Sequence, residues 1–471
     1  MNPIETNRYR SPRERANAGR AARAITPRSS HAQFEINWAN RPDPVSLLEQ
    51  QAQSRVPSLV PIRYGRMLTS PFAFYRGAAL IMASDLATTP NSGLSVQACG
   101  DAHLANFGVF ASPERSLVFD INDFDETHPG PWEWDLKRLL VSAEIAGQSN
   151  SFSEVDRREI VLAGAQEYRF AITEFSQMRQ LDIWYSKLDV ESLLKNLKKN
   201  IKSGEVRAEH LDINKAMNRT SLQALRKFTE IVNGQRRFVS APPLVAPVRD
   251  LTHENLALDF DDFKNIEAAV AEYSQTLSHD RRHLLNQFTF IDLARKVVGV
   301  GSVGTRAWMA LFEGRDQTDP LFLQVKEAQT SVLEAFTSPT QYANAGERVV
   351  AGQRLMQSTS DIFLGWNRVT TTEGTSRDYY IRQLRDWKGS VTVDLMNPTE
   401  LKLYVRTCAW TLAKAHARTG DSIAISAYLG QGRTFDQAIV EFANEYAQQN
   451  LKDFQALEAA VASGRVVAQA G

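Results

Sequence analysis

The sequence predicts a two-lobed α+β fold, and three observations carry that expectation. At 471 residues the chain is too long for one ordinary compact core, so two lobes or more are expected. Apolar residues recur at helical spacing over 134–147, 154–180 and 397–419. Between the second and third stretches, from Phe288, the texture changes: "FTFIDLARKVVGVGSVGTRAWMALFEG" and "DPLFLQVKEA" alternate and are rich in β-branched and aromatic residues, which predicts three antiparallel strands.

The elements follow in order. The first 30 residues are rich in Arg and poor in acids, and predict a solvated or partly helical arm. The sharper alternative is an arm that lends its arginines to an anionic ligand. Residues 70–87 read as one buried helix and "GLSVQACGD" as a short strand. "NFGVFASPERSLVFDIND" is a hairpin around a Ser-Pro-Glu-Arg turn, and 236–248 is a Pro-broken connector and a candidate lobe boundary. Residues 258–285 and 347–363 read as helices, with strands at "IFLGWNRVT" and "DYYIRQLRD". Asn397 can cap the helix that follows it, Pro398 suits its first turn, and Glu400 completes a capping box. The expected division is an arm over 1–49, a helical part over 50–287, a β-rich part over 288–390, and helices over 391–471 that complete the helical lobe.

Composition excludes several classes. Lys plus Arg equals Asp plus Glu at 54 each, so nothing global argues for nucleic acid or an anionic membrane. No run of about 18 apolar residues is present to span a bilayer, and the N-terminus has no apolar signal segment. Two cysteines, Cys99 and Cys408, neither cluster as metal ligands nor build a disulfide scaffold; a reducing cytoplasm is expected. Oligomeric state is not readable.

Three constellations carry chemistry. In "CGDAHLANFG" (99–108), Asp101 and Asn106 share a tight loop, and the hairpin then returns the chain to Asp123 in "FDINDFDE". One carboxylate can then face a substrate hydroxyl while an amide oxygen and a second carboxylate hold Mg²⁺, which prefers hard oxygen ligands. Phosphoryl transfer needs that arrangement. Each residue alone would read as turn chemistry; the spaced set does not. Asp125 is a candidate for a second metal, and His103, with no second histidine at ligand spacing, is read as structural support. The second constellation is Gly299, Gly301, Ser302 and Gly304 in "GVGSVG". A strand-like segment follows these glycines, not the helix that a dinucleotide-binding fold requires, so a hairpin covering phosphates with backbone N–H groups is expected. The third is Lys326 in "LFLQVKEA", a cation in an apolar strand that needs a partner. Glu347, at the start of the next helix, is the expected partner and Glu334 the alternative.

These residues resemble a known group. "GDAHLANFG" with "NDFDE" is similar to the catalytic and metal loops of kinase-like phosphotransferases such as aminoglycoside and choline kinases. The resemblance implies Asp101 as the catalytic acid, Asn106 and Asp123 as metal ligands, and Asp135 in "WEWDLKRL" as the residue holding the catalytic loop by hydrogen bonds. "LAKAHA" (412–417) resembles the helix that lies before that loop in those families. The order differs, because the glycine loop and Lys326 follow the catalytic loop by some 200 residues. The implied fold is therefore a circularly permuted, protein-kinase-like one, with "YYIRQLRDWKG" (379–389) beside the adenine. Along 61–421 the chain also resembles the bacterial family known as domain of unknown function 2252, in segments such as "PIRYGRMLTSPFAFYRGAA" and "ERVVAGQRLMQSTSDIFLGW".

The expected activity is transfer of the γ-phosphoryl group of ATP, with Mg²⁺, to a hydroxyl on a small molecule or protein. Nucleotidyl transfer on the same fold and a non-catalytic ATP-binding regulator are the alternatives.

Overall fold

The computed structural model describes residues 10–34, 41–190, 220–251, 263–297, 299–370, 374–384, 387 and 389–470. In chain order, α1 (Pro12–Ile25), α2 (Pro44–Ala52), α3 (Val60–Met67), α4 (Pro71–Gly77) and α5 (Ala79–Leu86) precede β1 (Ser95–Ala98). Then come β2 (Phe107–Ala111), β3 (Leu117–Ile121), β4 (His128–Pro131), α6 (Trp132–Ser149), α7 (Glu154–Phe175), α8 (Gln180–Tyr185) and β5 (Leu188–Asp189). A mixed stretch follows: α9 (Ser221–Phe228), β6 (Thr229–Val232), β7 (Gln235–Phe238), β8 (Val245–Pro247), α10 (Phe263–Gln275) and α11 (His279–Leu285). Next are β9 (Thr289–Lys296), β10 (Ala307–Glu313), β11 (Pro320–Ala328), α12 (Ala345–Met356), β12 (Gly365–Thr370), β13 (Ser376–Gln383) and β14 (Gly389–Ser390). The last helices are α13 (Pro398–Thr419), α14 (Ser422–Leu429) and α15 (Thr434–Ala462). The chain is thus a mixed α+β protein.

Local chemistry explains many boundaries. At α13, Asn397 accepts from the Glu400 amide while the Glu400 side chain accepts from the Asn397 N–H, the expected capping box. The expected helix over 70–87 is instead two, broken at Ala78, whose ψ of 31° leaves the helical range. There the Gly77 carbonyl accepts from Arg63 Nη2. The helix expected over 347–363 runs over 345–356. Past its end, Ser358 uses its N–H and hydroxyl on Asp120, an alternative to helix that serine favours.

The β-rich part is one six-stranded antiparallel sheet in the order β12-β13-β11-β10-β9-β8. Both its faces are covered, which is why "WMALF" reads as continuous apolar sequence. Trp308, Ala310, Leu323 and Ile381 face Ile266 and Tyr273 of α10. The alternate residues Met309, Leu311 and Phe322 face Leu225 and Phe228 of α9. The expected boundary at 287 is therefore corrected: β8, α10 and α11 belong with the sheet. An apolar stripe on α10 reveals that it must be covered but not which surface covers it.

The larger core lies among α6, α7, α13 and α15, where Trp132 stacks on Tyr168 at 5.4 Å. Almost every residue of α6 is buried, charged ones included, and each charge has its own answer. The Glu133 carboxylate accepts from the Ser92 N–H at 2.7 Å, and Lys137 sits over the Phe442 ring at 4.2 Å. Among the described residues no helix is long and apolar enough to cross a membrane.

The N-terminal arm is partly helical, as expected, in α1, but it is not free in solvent. α1 lies against α14, with Arg15 Nε 2.9 Å from Asp421 Oδ1. Arg23 and Arg28 donate to the carbonyls of Ala427, Tyr428 and Leu429, the C-terminal end of α14, where cations are favoured. These arginines thus serve a helix terminus. The contact depends on Gly19: a Cβ there would lie 2.0 Å from the Ala424 carbonyl oxygen. Helix propensity alone would favour Gly19→Ala by about 1 kcal/mol. We expect the opposite sign, a loss of about 1–3 kcal/mol from overpacking. The thermal midpoint should fall and trypsin should cut α1 faster; a rise in midpoint would refute the docking.

Candidate functional site

The quoted loop begins where β1 ends. Asp135, in the first turn of α6, accepts from the N–H of Cys99 at 2.6 Å and of Gly100 at 2.9 Å. His416 of α13 approaches the same carboxylate at 3.2 Å, and its other ring nitrogen meets the Tyr168 hydroxyl at 2.8 Å. Asp135 thereby ties the loop to two buried helices. Within the loop, the His103 N–H donates to the Asp101 carbonyl and the Asn106 N–H to the His103 carbonyl, giving one 3₁₀ turn. The His103 ring is buried with Nε2 at 3.5 Å from Asp101 Oδ2, and burial holds it well below the usual histidine range. A largely neutral ring packed under the loop fits the structural part expected of it.

Arg138, one helical turn after Asp135, donates to Asp101 Oδ1 at 2.7 Å. The other carboxylate oxygen lies on the His103 side, and Asp101 lines the cleft. The Asn106 side chain lies 2.6 Å from the Asp101 carbonyl oxygen. A carbonyl only accepts, so the amide nitrogen must occupy that position, and Oδ1 is turned away as a hard oxygen ligand.

Lys326 reaches the same place from β11. Its ammonium lies 2.6 Å from Asp125 Oδ2 and 3.4 Å from Asp123 Oδ1, across some 200 residues of chain. Tyr380, beside it on β13, donates to Asp125 Oδ1 at 2.6 Å. Burial pulls the ammonium toward neutrality, Asp123 and Asp125 oppose this, and the net shift is upward. The expected partners are corrected. Among the described residues neither Glu347 nor Glu334 pairs with Lys326. Glu334 accepts instead from the Thr340 N–H at 3.1 Å. On α12 it is Arg348, the neighbour of Glu347, that points inward and donates to the carbonyls of Asp125, Thr127 and Gln329. A one-residue step on a helix rotates a side chain by about 100°, which moves Glu347 off the inward face.

The glycine segment is the turn between antiparallel β9 and β10, as expected of a covering hairpin. Gly299 and Gly304 take φ of 67° and 90°, which ordinary side chains resist. The hairpin is held down on the helical part: Val56 N–H donates to Gly304 O at 2.8 Å and Arg66 to Gly299 O at 2.7 Å. Ser302 Oγ lies 3.3 Å from Asp125 Oδ2, and the Gly301 and Ser302 amides donate to no acceptor among the described residues.

Asp101, Asn106, Asp123, Asp125, Gly301 and Ser302 therefore line one cleft of about 610 Å³. Of the segment expected beside an adenine, Tyr380 donates to Asp125 and Arg382 to the Asn122 carbonyl, beneath the cleft's acidic turn, while Arg385, Asp386 and Lys388 lie outside the described residues. Among the described residues no three His, Cys, Asp or Glu side chains form a metal cage. Asn106, Asp123 and Asp125 carry hard oxygens of the type Mg²⁺ prefers, although both oxygens of Asp125 are engaged here, by Lys326 and Tyr380. Sequence reading missed Arg138, Arg348 and Tyr380. Helical spacing from Asp135 was the available signal for Arg138, and strand alternation with Arg382 was the signal for Tyr380.

A family model described as an uncharacterized protein conserved in bacteria, DUF2252, matches residues 55–460. No curated protein and no solved structure matches the chain.

Burial pushes the Asp101 carboxyl up to about 7; Arg138 draws it down, while Glu126 and Asp123 push it further up. Solvent still reaches 20% of the side chain. The unfolded value is about 4, so the folded state binds more protons between pH about 4 and 7, and stability falls as pH rises through that window. Glu126, also raised by burial, acts in the same direction. Asp101→Asn removes the Asp101 contribution alone. The stability advantage of wild type over the variant, from urea unfolding at each pH, should shrink from pH about 4 to about 7 and then level. A constant difference would mean that Asp101 titrates as an ordinary exposed carboxyl.

Proposed function

The chain belongs to the bacterial DUF2252 family, whose description names no activity, and from the cleft we therefore propose an ATP- and Mg²⁺-dependent phosphotransferase acting on a hydroxyl acceptor. One observation carries the reading. Lys326 meets Asp123 and Asp125, two acids that line the same cleft as Asp101 and Asn106, although β11 lies some 200 residues from the loops. The fold we infer is kinase-like, two-lobed and circularly permuted. In its support, β9 and β10 with their glycine turn, then β11 with Lys326, then α12, β12 and β13 follow one another as a nucleotide-covering half. Helix α13, which comes after that half, abuts the 99–106 loop through His416 and Asp135.

In this reading Mg²⁺, when bound, neutralises phosphate charge, and Asn106, Asp123 and Asp125 would hold it. Asp101 orients the acceptor hydroxyl and accepts its proton as the new O–P bond forms and the bond to the β-phosphate oxygen breaks. A carboxyl poised near neutrality can do this at physiological pH. Arg138 fixes the orientation of Asp101. Lys326 exchanges its carboxylates for phosphate oxygens, and the Gly301 and Ser302 amides cover them.

ATP with Mg²⁺ should raise the thermal midpoint of the wild type. Asp123→Ala should lose the Mg²⁺-dependent part of that rise; an equal shift in the variant would remove Asp123 from the metal site. For catalysis, labelled ATP and a metabolite extract should yield a labelled product that identifies the acceptor. With that acceptor, Asp101→Asn should keep nucleotide affinity while transfer falls roughly a hundredfold or more. Lys326→Ala should impair both, because it also leaves Asp123 and Asp125 unopposed. Undiminished transfer by Asp101→Asn would return the 99–108 loop to a structural role.

A further inference from the structure

The wall of the cleft facing the acids contains three arginines, Arg55, Arg63 and Arg76. Arg55 and Arg63 are only 8% and 1% exposed, and Arg76 is partly buried. None has a carboxylate within ion-pair distance among the described residues. Arg55 donates to the Val303 carbonyl, and Arg63 Nη2 to Gln51 and Gly77. Nε of all three, and Nη1 of Arg63, are buried without a hydrogen-bond partner. Arg76 makes no hydrogen bond among the described residues.

The nearby acids are already engaged. Asp101 is held by Arg138, Asp125 by Lys326 and Tyr380, Glu327 by Arg306, and Glu126 accepts from the Val332 N–H. Buried cations lacking a counter-charge are costly, and a native fold retains them where something else supplies the charge. Guanidinium N–H groups in a fixed fork match the oxygens of a phosphate.

We propose that Arg55, Arg63 and Arg76 form a phosphate-binding subsite in the cleft wall, filled by a phosphate group of a ligand. The subsite itself stands on these three side chains. Only the identity of its donor, nucleotide or phosphorylated acceptor, rests on the phosphotransferase reading.

The test uses the full chain and inorganic phosphate, measured by titration calorimetry and by thermal shift. Wild type should bind phosphate and melt higher with it. Arg76→Gln, which removes no hydrogen bond, should keep the fold and bind phosphate roughly tenfold or more weakly, the scale of one charge-assisted pair. Arg63→Gln should lose the phosphate-dependent shift, with Arg63→Lys recovering part of it if the glutamine variant folds poorly. Phosphate binding that is absent in wild type, or equal in wild type and Arg76→Gln, overturns the subsite. Repeating the titration with Mg²⁺ and a non-hydrolysable ATP analogue separates the sources. Phosphate that still binds while the analogue is itself bound assigns the subsite to the acceptor; phosphate that the bound analogue excludes assigns it to the nucleotide. Phosphate binding with no heat or midpoint shift from the analogue itself keeps the subsite and strikes the phosphotransferase reading alone.

Discussion

The buried ammonium of Lys326 is the constraint on which the site depends. Only 3% of its side chain is exposed, so its charge persists only if carboxylates come to it. Asp123 and Asp125 do so from the turn after β3, and Tyr380 completes Asp125 from β13. The same junction is braced by neutral contacts: Arg382 donates to the Asn122 carbonyl, and Arg348 binds three carbonyls across the seam. Removing Lys326 would leave two like-charged carboxylates side by side, screened in part because solvent reaches 31% and 28% of them. The sheet and the acidic turn are therefore held in mutual position by the groups that phosphate chemistry would use.

What the sequence made legible was local or periodic. The Asn397–Glu400 box needs four consecutive residues, and the glycine hairpin needs only the strand pattern on either side. The grouping of Asp101, Asn106 and Asp123 was readable because one hairpin joins them. Features decided by tertiary fit were not. Nothing in an Arg-rich stretch announces that its arginines will meet the carbonyl end of α14. Glu347 was chosen by its spacing from Lys326, whereas the facing of α12 sends Arg348 inward. Arg138 was passed over because a basic residue in a helix ordinarily lies on a solvated face, yet α6 has almost no solvated face.

Net neutrality of the whole chain conceals a separation of charge inside the cleft. On one side, the Lys326 ammonium meets two aspartates and leaves an excess of negative charge. On the other, three guanidiniums have no such counter-charge among the described residues, and burial lowers the proton affinity of each. Salt screens such a place far less than an exposed surface. The two halves are also coupled. Arg76 feels the attraction of Asp101, and its charge depresses His103. An anion seated on Arg76 would cancel that positive field beside Asp101. A carboxylate losing a nearby cation holds a proton more tightly. Filling the arginine wall would thus make Asp101 a stronger base at the moment a ligand is present, and leave it weaker when the cleft holds only water.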